Sequence, residues 1–285
     1  VFVTLTLQAI QDGTTTNNLS VSSDSDENDP SDNTNTETTL IEAVPGISRK
    51  VIYLSSSDNG TIDGLSYKDE DVLVYYVDSD TWAIAFDGSV EGVDTDVDAL
   101  YIYGDGTMLL SFDRRTFVPG VGNVEASDIV SFDPATGLWS LYFVGADHDL
   151  STGNENVDAI DFTSGGDLVV STSGTAEVNG TTLRAEDEDL LVYDWTSWAL
   201  LVDGSAVGNT ADTNALWMQN DETAQISLDS SKTLPGGASV KREDVVSHDI
   251  PGGTFDPTLF FDGSAVGFTR NLDALHVSMF SAPPN

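Results

Sequence analysis

A short phrase built on Asp-Ala-Leu recurs along the chain, and its spacing restricts the fold more than any other feature. It starts at Asp98, Asp158, Asn214 and Asp273, so the repeat is about 60 residues long. Each unit contains four short runs rich in β-branched and aromatic residues, for example "ALYIY", "TMLLSFD", "DIVSFD" and "LWSLYFVG". Turn sequences such as "GDG" and "DPATG" separate these runs. Four strands in each unit predict the four-stranded antiparallel blades of a β-propeller.

The two ends of the repeat region are incomplete in a complementary way. The first unit starts near Val51 with its second strand, and the last run, Ala274–Phe280, is a first strand with no second strand after it. Together they complete a fourth blade, which predicts an all-β, four-bladed β-propeller closed by the C-terminal strand. The run "TTLIEAV" at 38–44 is an alternative source of the missing strand.

The residues before the repeats have a different composition. Residues 1–12 begin with "VFVTLTLQAI", whose period-two alternation predicts an extra N-terminal strand. Residues 13–47 are rich in Ser, Thr, Asp and Asn and predict a flexible linker, whereas 48–285 form the propeller domain. The extra strand either packs on its own propeller or pairs with a neighbouring molecule. The residues assigned to an intersubunit strand are Val1, Phe2, Val3, Leu5 and Leu7.

Charge is the dominant compositional feature. The chain has 48 acidic and 10 basic residues and a net charge of −38. Nucleic-acid binding requires a positive surface, so that function class is excluded. The acidity indicates either a solvated, salt-tolerant surface or calcium sites built from short carboxylates.

The first residue and the glycosylation sequons predict an extracellular or cell-surface protein. The chain opens at Val1, as expected for a processed secreted form. It contains no cysteine, which excludes disulfides and thiolate sites. No apolar run approaches the ~20 residues that span a bilayer. Glycosylation sequons at Asn18, Asn59 and Asn179 permit glycans outside the cytoplasm.

Antiparallel geometry places the long acidic connections on one face of the propeller, where third strands begin beside the ends of second and fourth strands. Carboxylates that meet there repel one another unless a cation binds, and calcium is the simplest cofactor. The alternative is that they cap loops by accepting backbone N–H bonds. The candidate calcium ligands are Asp71, Asp87, Asp94, Asp96, Asp98, Asp113, Asp128, Asp189, Asp203, Asp229, Asp244 and Asp262.

The pattern does not indicate catalysis. Asp98, Asp158, Asn214 and Asp273 start the innermost strands and are expected to ring the mouth of a central channel, where glycosidase propellers place carboxylates. Their places in the repeat are equivalent, whereas acid–base catalysis needs carboxyls in different environments. The three histidines, His148, His248 and His276, have no spacing typical of a triad or metal site. Trp82, Trp139 and Trp198 open the fourth strands and are interpreted as core packing.

The repeat unit "LLSFD…VPG…ASDIVSFDPATGLWSLYF" with "FDGSAVG…LDALHV" resembles tandem repeats of large secreted and cell-surface bacterial proteins. The resemblance covers about 50–280 and implies an extracellular β-repeat module without known chemistry. Val144, Ser173 and Asn214 depart from the pattern and weaken a cation site in their units.

The expected function is therefore a secreted structural protein without enzymatic activity. A neighbouring subunit that accepts the N-terminal strand would give a homo-oligomer or a homopolymeric filament. The alternative is a lectin-like adhesin that binds glycans through calcium.

Overall fold

A computed structural model describes residues 13–20, 34–41 and 48–281, with side chains from 50 to 279. The chain divides into two compact units, the first from Val1–Lys50 and Met279–Asn285, the second from Val51–Ser278. Within the described residues, no helix is long and apolar enough to cross a membrane.

The first unit contains a β-hairpin in the range expected to be a linker. Strands β1 (Gly13–Ser20) and β2 (Thr34–Ile41) pair antiparallel, from Gly13 opposite Ile41 to Ser20 opposite Thr34. The physical reason is the threonine content of both segments, because β-branched residues favour extended backbone. The linker prediction is therefore corrected for these residues. The strand predicted at 1–12 lies outside the described residues.

The second unit is built from short strands that follow one another along the chain. The first group is β3 (Ser48–Ser56), β4 (Gly60–Ile62), β5 (Leu65–Tyr67), β6 (Val72–Tyr76) and β7 (Thr81–Phe86). The second is β8 (Val97–Ile102), β9 (Met108–Phe112), β10 (Thr116–Val118), β11 (Gly122–Val124), β12 (Ile129–Asp133) and β13 (Leu138–Phe143). The third is β14 (Val157–Phe162), β15 (Leu168–Thr172), β16 (Ala176–Val178), β17 (Leu183–Ala185), β18 (Leu190–Tyr193) and β19 (Trp198–Val202). The last is β20 (Thr213–Asn220), β21 (Thr223–Leu228), β22 (Lys232–Thr233), β23 (Ser239–Val240), β24 (Val245–Asp249), β25 (Thr254–Phe261) and β26 (Leu272–Ser281).

These strands form four four-stranded antiparallel sheets, the blades of a four-bladed β-propeller. From the innermost strand outward, blade 1 is β26-β3-β6-β7, blade 2 is β8-β9-β12-β13, blade 3 is β14-β15-β18-β19 and blade 4 is β20-β21-β24-β25. The connection between the second and third strands of every blade folds into a small hairpin of its own (β4-β5, β10-β11, β16-β17 and β22-β23). Helical turns follow three of the outermost strands, namely α1 (Gly88–Glu91) and the 3₁₀ turns Gly145–His148 and Ser264–Val266.

The ring closes as the repeat predicts, because β26 lies beside β3 in blade 1. The alternative strand at 38–44 is wrong, since residues 38–41 belong to β2 and pair with β1. Closure by the C-terminal strand completes the four-stranded blade that begins the propeller.

The core lies between neighbouring blades. Four clusters of buried apolar residues each draw on two adjacent blades, as where Phe143 of blade 2 joins Trp198 of blade 3. Serines on the second strands also link the blades. Ser55 Oγ donates to the carbonyl of Val97 (2.7 Å), and Ser111 Oγ donates to that of Val157 (2.6 Å), in both cases across to the next blade. Each blade is thus held by its neighbours.

Candidate functional site

The aspartate that opens each third strand forms the same hydrogen bonds in every blade. In blade 1, Asp71 Oδ2 accepts from the backbone N–H of Lys68 (2.9 Å) and Oδ1 accepts from that of Gly88 (3.0 Å). The equivalent aspartates Asp128, Asp189 and Asp244 do the same. Each carboxylate therefore holds its own turn and the loop after the fourth strand, as an Asx turn does.

A glycine in the loop after each fourth strand permits this close approach. A Cβ on Gly204 would overlap the backbone carbonyl oxygen of Glu188 in the neighbouring loop. The corresponding glycines Gly88, Gly145 and Gly263 are equally crowded against Glu70, Ser127 and Glu243. The repeated "DG" pattern thus serves packing at the acidic face.

The aspartates at the ends of the fourth strands cap the turns that follow. Asp87 Oδ1 accepts from Val90 N (3.0 Å), Asp203 Oδ1 from Ala206 N (2.9 Å) and Asp262 Oδ1 from Ala265 N (3.1 Å). The Ala206 N–H and the Ser205 hydroxyl hold the pKa of Asp203 below the usual value. The Ser264 hydroxyl, followed by the Ala265 N–H, does the same for the pKa of Asp262. Val144 occupies this place in blade 2 and provides no side-chain cap.

The expected meeting of third-strand and fourth-strand carboxylates is confirmed. Burial raises the pKa of Asp71, Asp189 and Asp244, and in each case the carboxylate at the end of the fourth strand raises it further. Their oxygens nevertheless have backbone partners, which gives these loop aspartates a role that needs no cation. Calcium at the loops stays a prediction.

The remaining calcium candidates occupy different surroundings. Asp94 and Asp229 are exposed, whereas Asp113 Oδ2 pairs with the Arg114 guanidinium (2.9 Å). Asp96 and Asp98 are buried at the channel. In the part of the chain that the structure describes, no three side chains of the His, Cys, Asp and Glu types are arranged around one metal position.

The tryptophans that open the fourth strands connect neighbouring blades, which agrees with their interpretation as packing residues. The indole N–H of Trp198 donates to the carbonyl of His148 in the turn of the preceding blade (2.8 Å). Trp82 and Trp139 make the same bond to Val266 and Glu91 (both 3.3 Å). Pro257 stands in this place in blade 4.

A ring of carboxyl and amide side chains surrounds the loop end of the central channel. The sequence predicts Asp98, Asp158, Asn214 and Asp273 at this mouth, and the structure brings them together. The structure also places at this mouth the residue two positions before each of these four. Sequence reasoning had identified this residue only in blade 2, as Asp96. The detectable signal was a D/N-x-D/N pair in every repeat. We call these eight residues the axial ring: Asp96, Asp98, Asn156, Asp158, Asp212, Asn214, Asn271 and Asp273.

The axial ring differs from one blade junction to the next. Between blades 2 and 3, Asn156 Nδ2 donates to Asp98 Oδ2 (2.6 Å). Between blades 4 and 1, Asn214 Nδ2 donates to Asp273 Oδ1 (2.6 Å). These two opposite junctions therefore pair an amide donor with a carboxylate acceptor, which is a favourable charge-assisted arrangement.

The other two junctions pair carboxyl with carboxyl. Asp273 meets Asp96 between blades 1 and 2, and Asp158 meets Asp212 between blades 3 and 4. Burial raises the pKa of Asp96 to about 10 and that of Asp212 to about 8, and neighbouring carboxylates act in the same direction. Burial also raises the pKa of Asp98 to about 7. Negative charge is thus disfavoured in the ring unless a cation or proton compensates it.

A second layer of the channel breaks the repeat symmetry. This layer lies three positions after the second ring residue of each blade. Its members are Tyr101, Asp161, Trp217 and His276 in blades 2, 3, 4 and 1. Asp161 Oδ2 accepts from Met218 N (2.6 Å), and His276 Nδ1 accepts from Ile102 N (3.3 Å). Both bonds join adjacent innermost strands, so these side chains stabilise the channel wall.

The three histidines lie in separate packing environments. His148 stacks on Phe143 (4.6 Å between ring centroids), and its Nδ1 lies 3.0 Å from the Tyr193 hydroxyl. His248 is buried inside blade 4, where burial lowers its pKa. Burial also lowers the pKa of His276 to about 4. This arrangement offers no acid–base pair among the histidines.

An aromatic surface lies on the side of the propeller opposite the acidic loops. Trp195, in the hairpin between β18 and β19, is 47% exposed and has a φ of 66°. Its ring lies 6.2 Å from that of Tyr142, whose hydroxyl accepts a hydrogen bond from Tyr103 (3.3 Å). Such a left-handed backbone is uncommon for a bulky residue.

No family model and no curated protein sequence matches the chain. Among solved structures it is similar to a virginiamycin B lyase from Staphylococcus aureus (11% identity, TM-score 0.31, 82% of this chain and 75% of that one). It is also similar to YCF48 bound to D1 peptide (11%, 0.33, 79% and 61%) and to YjhT (11%, 0.31, 64% and 49%). At these values no activity or ligand transfers to the chain.

Proposed function

We propose that the chain is a non-enzymatic structural module of an extracellular or cell-surface assembly, whose subunits are joined by residues 1–12. The observation that supports this most directly is the unpaired outer edge of the blades. Strands β7, β13, β19 and β25 each end their sheet, so one row of backbone N–H and C=O groups has no strand beside it. Such an edge is a template for a strand from another molecule.

Among these edges, β13 is best suited to accept a strand. It exposes Leu138 (67%) and Leu141 (45%), whereas β19 exposes Leu200 at 37%. Pro257 interrupts β25 and lacks a backbone N–H. An incoming strand on β13 would cover the edge and Leu141, whereas Leu138, three residues earlier, lies on the opposite face of the strand.

The first residues have the pattern that such a site requires. Val1, Val3, Leu5 and Leu7 recur with period two, so they occupy one face of an extended strand. Such a strand can pair with an acceptor edge through its backbone and place its apolar face on exposed side chains there.

The repeated geometry supports a structural role over an enzymatic one. The carboxylates of the acidic face hold turns by the same bonds in all four blades. Catalysis needs groups in unlike environments, and these loop environments are alike. The axial ring differs, because its carboxyls meet an amide at some junctions and a carboxyl at others, so the equivalence expected of them from the sequence is wrong.

Deleting residues 1–12 tests the proposal. The shortened chain should remain a folded monomer, while the full chain forms oligomers or filaments detectable by light scattering and electron microscopy. Leu141→Lys should also prevent assembly, because it places a charge in the docked interface. The matched control is Leu200→Lys at the equivalent position of β19, which should assemble normally. Assembly of the shortened chain, or of Leu141→Lys, would show that another surface joins the subunits.

Glycan binding is the second candidate, and the aromatic surface favours it. Sugars stack on exposed indole rings, and Trp195 is held in a strained backbone beside the tyrosine hydroxyls of Tyr103 and Tyr142. The other three hairpins at this position, "DSDT", "DPATG" and "DIPGGT", contain no aromatic residue. Trp195→Ala should abolish binding on a glycan array if this surface is the site. A wild-type array without signal would rule out this candidate.

A further inference from the structure

Two junctions of the axial ring contain buried carboxylate oxygens that no protein donor reaches. Both oxygens of Asp158 lack a hydrogen-bond partner among the described residues, as do Asp273 Oδ2, Asp96 Oδ1 and Asp212 Oδ1. Asp158 is 1% exposed and Asp273 is 3% exposed. An uncompensated buried carboxylate costs several kcal/mol of free energy. These oxygens therefore require a positive partner.

The contrast inside the ring identifies where that partner belongs. The junctions with Asn156 and Asn214 provide their own donors, whereas the Asp96–Asp273 and Asp158–Asp212 junctions present oxygen to oxygen. All these side chains come from the starts of the innermost strands, so the unpaired oxygens lie together at one end of the channel. The acidic loops are different, because their carboxylates already accept backbone N–H bonds.

Carboxylates outside the ring add to the negative charge at its two carboxyl–carboxyl junctions. Asp113 and Asp69 act on Asp96 from outside the ring, and Asp187 and Asp229 act on Asp212. The Arg114 guanidinium lies near this group, but its side chain is 62% exposed and it pairs with Asp113. The electrostatic potential at the mouth of the channel is therefore strongly negative.

We propose that the axial ring binds a hard divalent cation of the calcium type, with Asp158 and Asp273 as principal ligands from opposite sides of the channel. The donor set contains only oxygen, which suits Ca²⁺ or Mg²⁺ and disfavours metals that prefer nitrogen or sulfur. Asn156 Oδ1 and Asn271 Oδ1 also lack partners and add neutral ligands. The set includes amide oxygens, so it differs from a site made of three acidic or histidine side chains. The cation would link blades 1 and 3 at their inner ends, because all four of these side chains come from those two blades.

The competing explanation is that each carboxyl pair shares a proton. The two explanations differ in what they require from solution, since a shared proton needs no metal. The inference concerns the propeller alone and does not depend on how subunits assemble, so its failure would leave the strand-exchange proposal intact.

The test uses the full chain after treatment with EDTA, followed by titration with Ca²⁺ in a calorimeter and by thermal unfolding with and without Ca²⁺. The wild-type protein should bind at least one Ca²⁺ and show a higher Tm in its presence. Asp158→Asn should weaken Ca²⁺ binding at least tenfold and abolish the shift in Tm. In EDTA its Tm should rise above that of the wild type, because the substitution removes a repulsive charge. Weaker Ca²⁺ binding together with a higher Tm in EDTA distinguishes loss of a ligand from loss of structure, because a damaged fold would lower the Tm in EDTA.

The exposed Asp147, which is not among the candidate calcium ligands, provides the matched control, and Asp147→Asn should leave Ca²⁺ binding and both Tm values unchanged. If Asp158→Asn does not fold, Asp212→Asn removes charge from the same junction and should give the same pattern. The proposal is overturned if the wild-type protein binds no Ca²⁺. A Tm that is the same in EDTA and Ca²⁺ but rises on acidification would assign the junctions to protons. Binding that survives Asp158→Asn but is lost in Asp203→Asn would move the cation to the loops.

Discussion

Replacing Asp189 with alanine removes the carboxylate that holds blade 3 at the acidic face. Its Oδ2 accepts from Glu186 N (2.8 Å) and its Oδ1 accepts from Gly204 N (2.8 Å). The Gly204 bond is buried and the Glu186 bond is partly buried, so the variant leaves two backbone donors without acceptors.

The expected loss follows from these two donors. A buried N–H left unsatisfied costs about 1–3 kcal/mol, and a partly exposed hydrogen bond contributes about 0.5–1.5 kcal/mol. Removing the carboxylate also recovers its own desolvation cost, which is visible in the raised pKa of Asp189. We expect Asp189→Ala to lower the free energy of unfolding by about 2–4 kcal/mol. Asp189→Asn keeps one acceptor oxygen and should lose about half as much.

Urea unfolding followed by tryptophan fluorescence measures these losses. The m-value, which is the slope of the unfolding free energy against urea concentration, should be the same in the wild type and the variants. Asp203→Ala is the control, because it also removes a loop carboxylate but an exposed one, and it should cost less. The reasoning is refuted if Asp189→Ala is no more destabilising than Asp203→Ala. The loss should also be the same in EDTA and in Ca²⁺; a loss seen only in Ca²⁺ would assign Asp189 to the predicted loop calcium instead.

Three further substitutions test other parts of the fold. Gly204→Ala should destabilise by about 1–3 kcal/mol because its Cβ would overlap the Glu188 carbonyl oxygen, whereas Gly104→Ala, with open space around it, should be near neutral in urea unfolding. Burial raises the pKa of Asp161 to about 7, so its stabilising contribution is complete below pH ~4 and falls as pH rises to ~7. The unfolding free energy of the wild type minus that of Asp161→Asn should therefore decrease from pH 5 to pH 8, and a constant difference would contradict this. Trp139→Phe keeps an aromatic ring but loses the indole N–H donor and part of the area packed on Phe86 and Phe132, so it should lower stability by at least the ~0.5–1.5 kcal/mol of the hydrogen bond in thermal or urea unfolding.

Part of the candidate site could be read from the repeat. The positions of Asp98, Asp158, Asn214 and Asp273 at the channel mouth follow from their place at the start of the innermost strands. The position of the aspartates that open the third strands, beside the loops after the fourth strands, also follows from the repeat. Their bonds to backbone N–H groups were left open, because a carboxylate can bind a cation or a peptide donor with the same local sequence around it.

The hairpin of β1 and β2 shows a limit of compositional reasoning. A segment with few apolar residues indicated a linker, yet threonines in both halves allow a paired ladder. Pairing requires two segments separated by thirteen residues (21–33) to meet in register. The composition of one segment does not indicate which other segment it pairs with.

The sequence by itself determined the number of blades and the strands in each blade, because a repeat of local hydrophobic patterns is visible along one dimension. It left two candidates, 38–44 and 274–280, for the strand that closes the ring. It also determined where carboxylates accumulate. Only the tertiary structure decided which oxygen meets which donor. Asp98 faces an amide and Asp158 faces a second carboxyl, although both stand at the same place in the repeat. The physical reason is that each partner comes from the adjacent blade, more than fifty residues away, so the chemistry of a junction belongs to a pair of repeats rather than to either one.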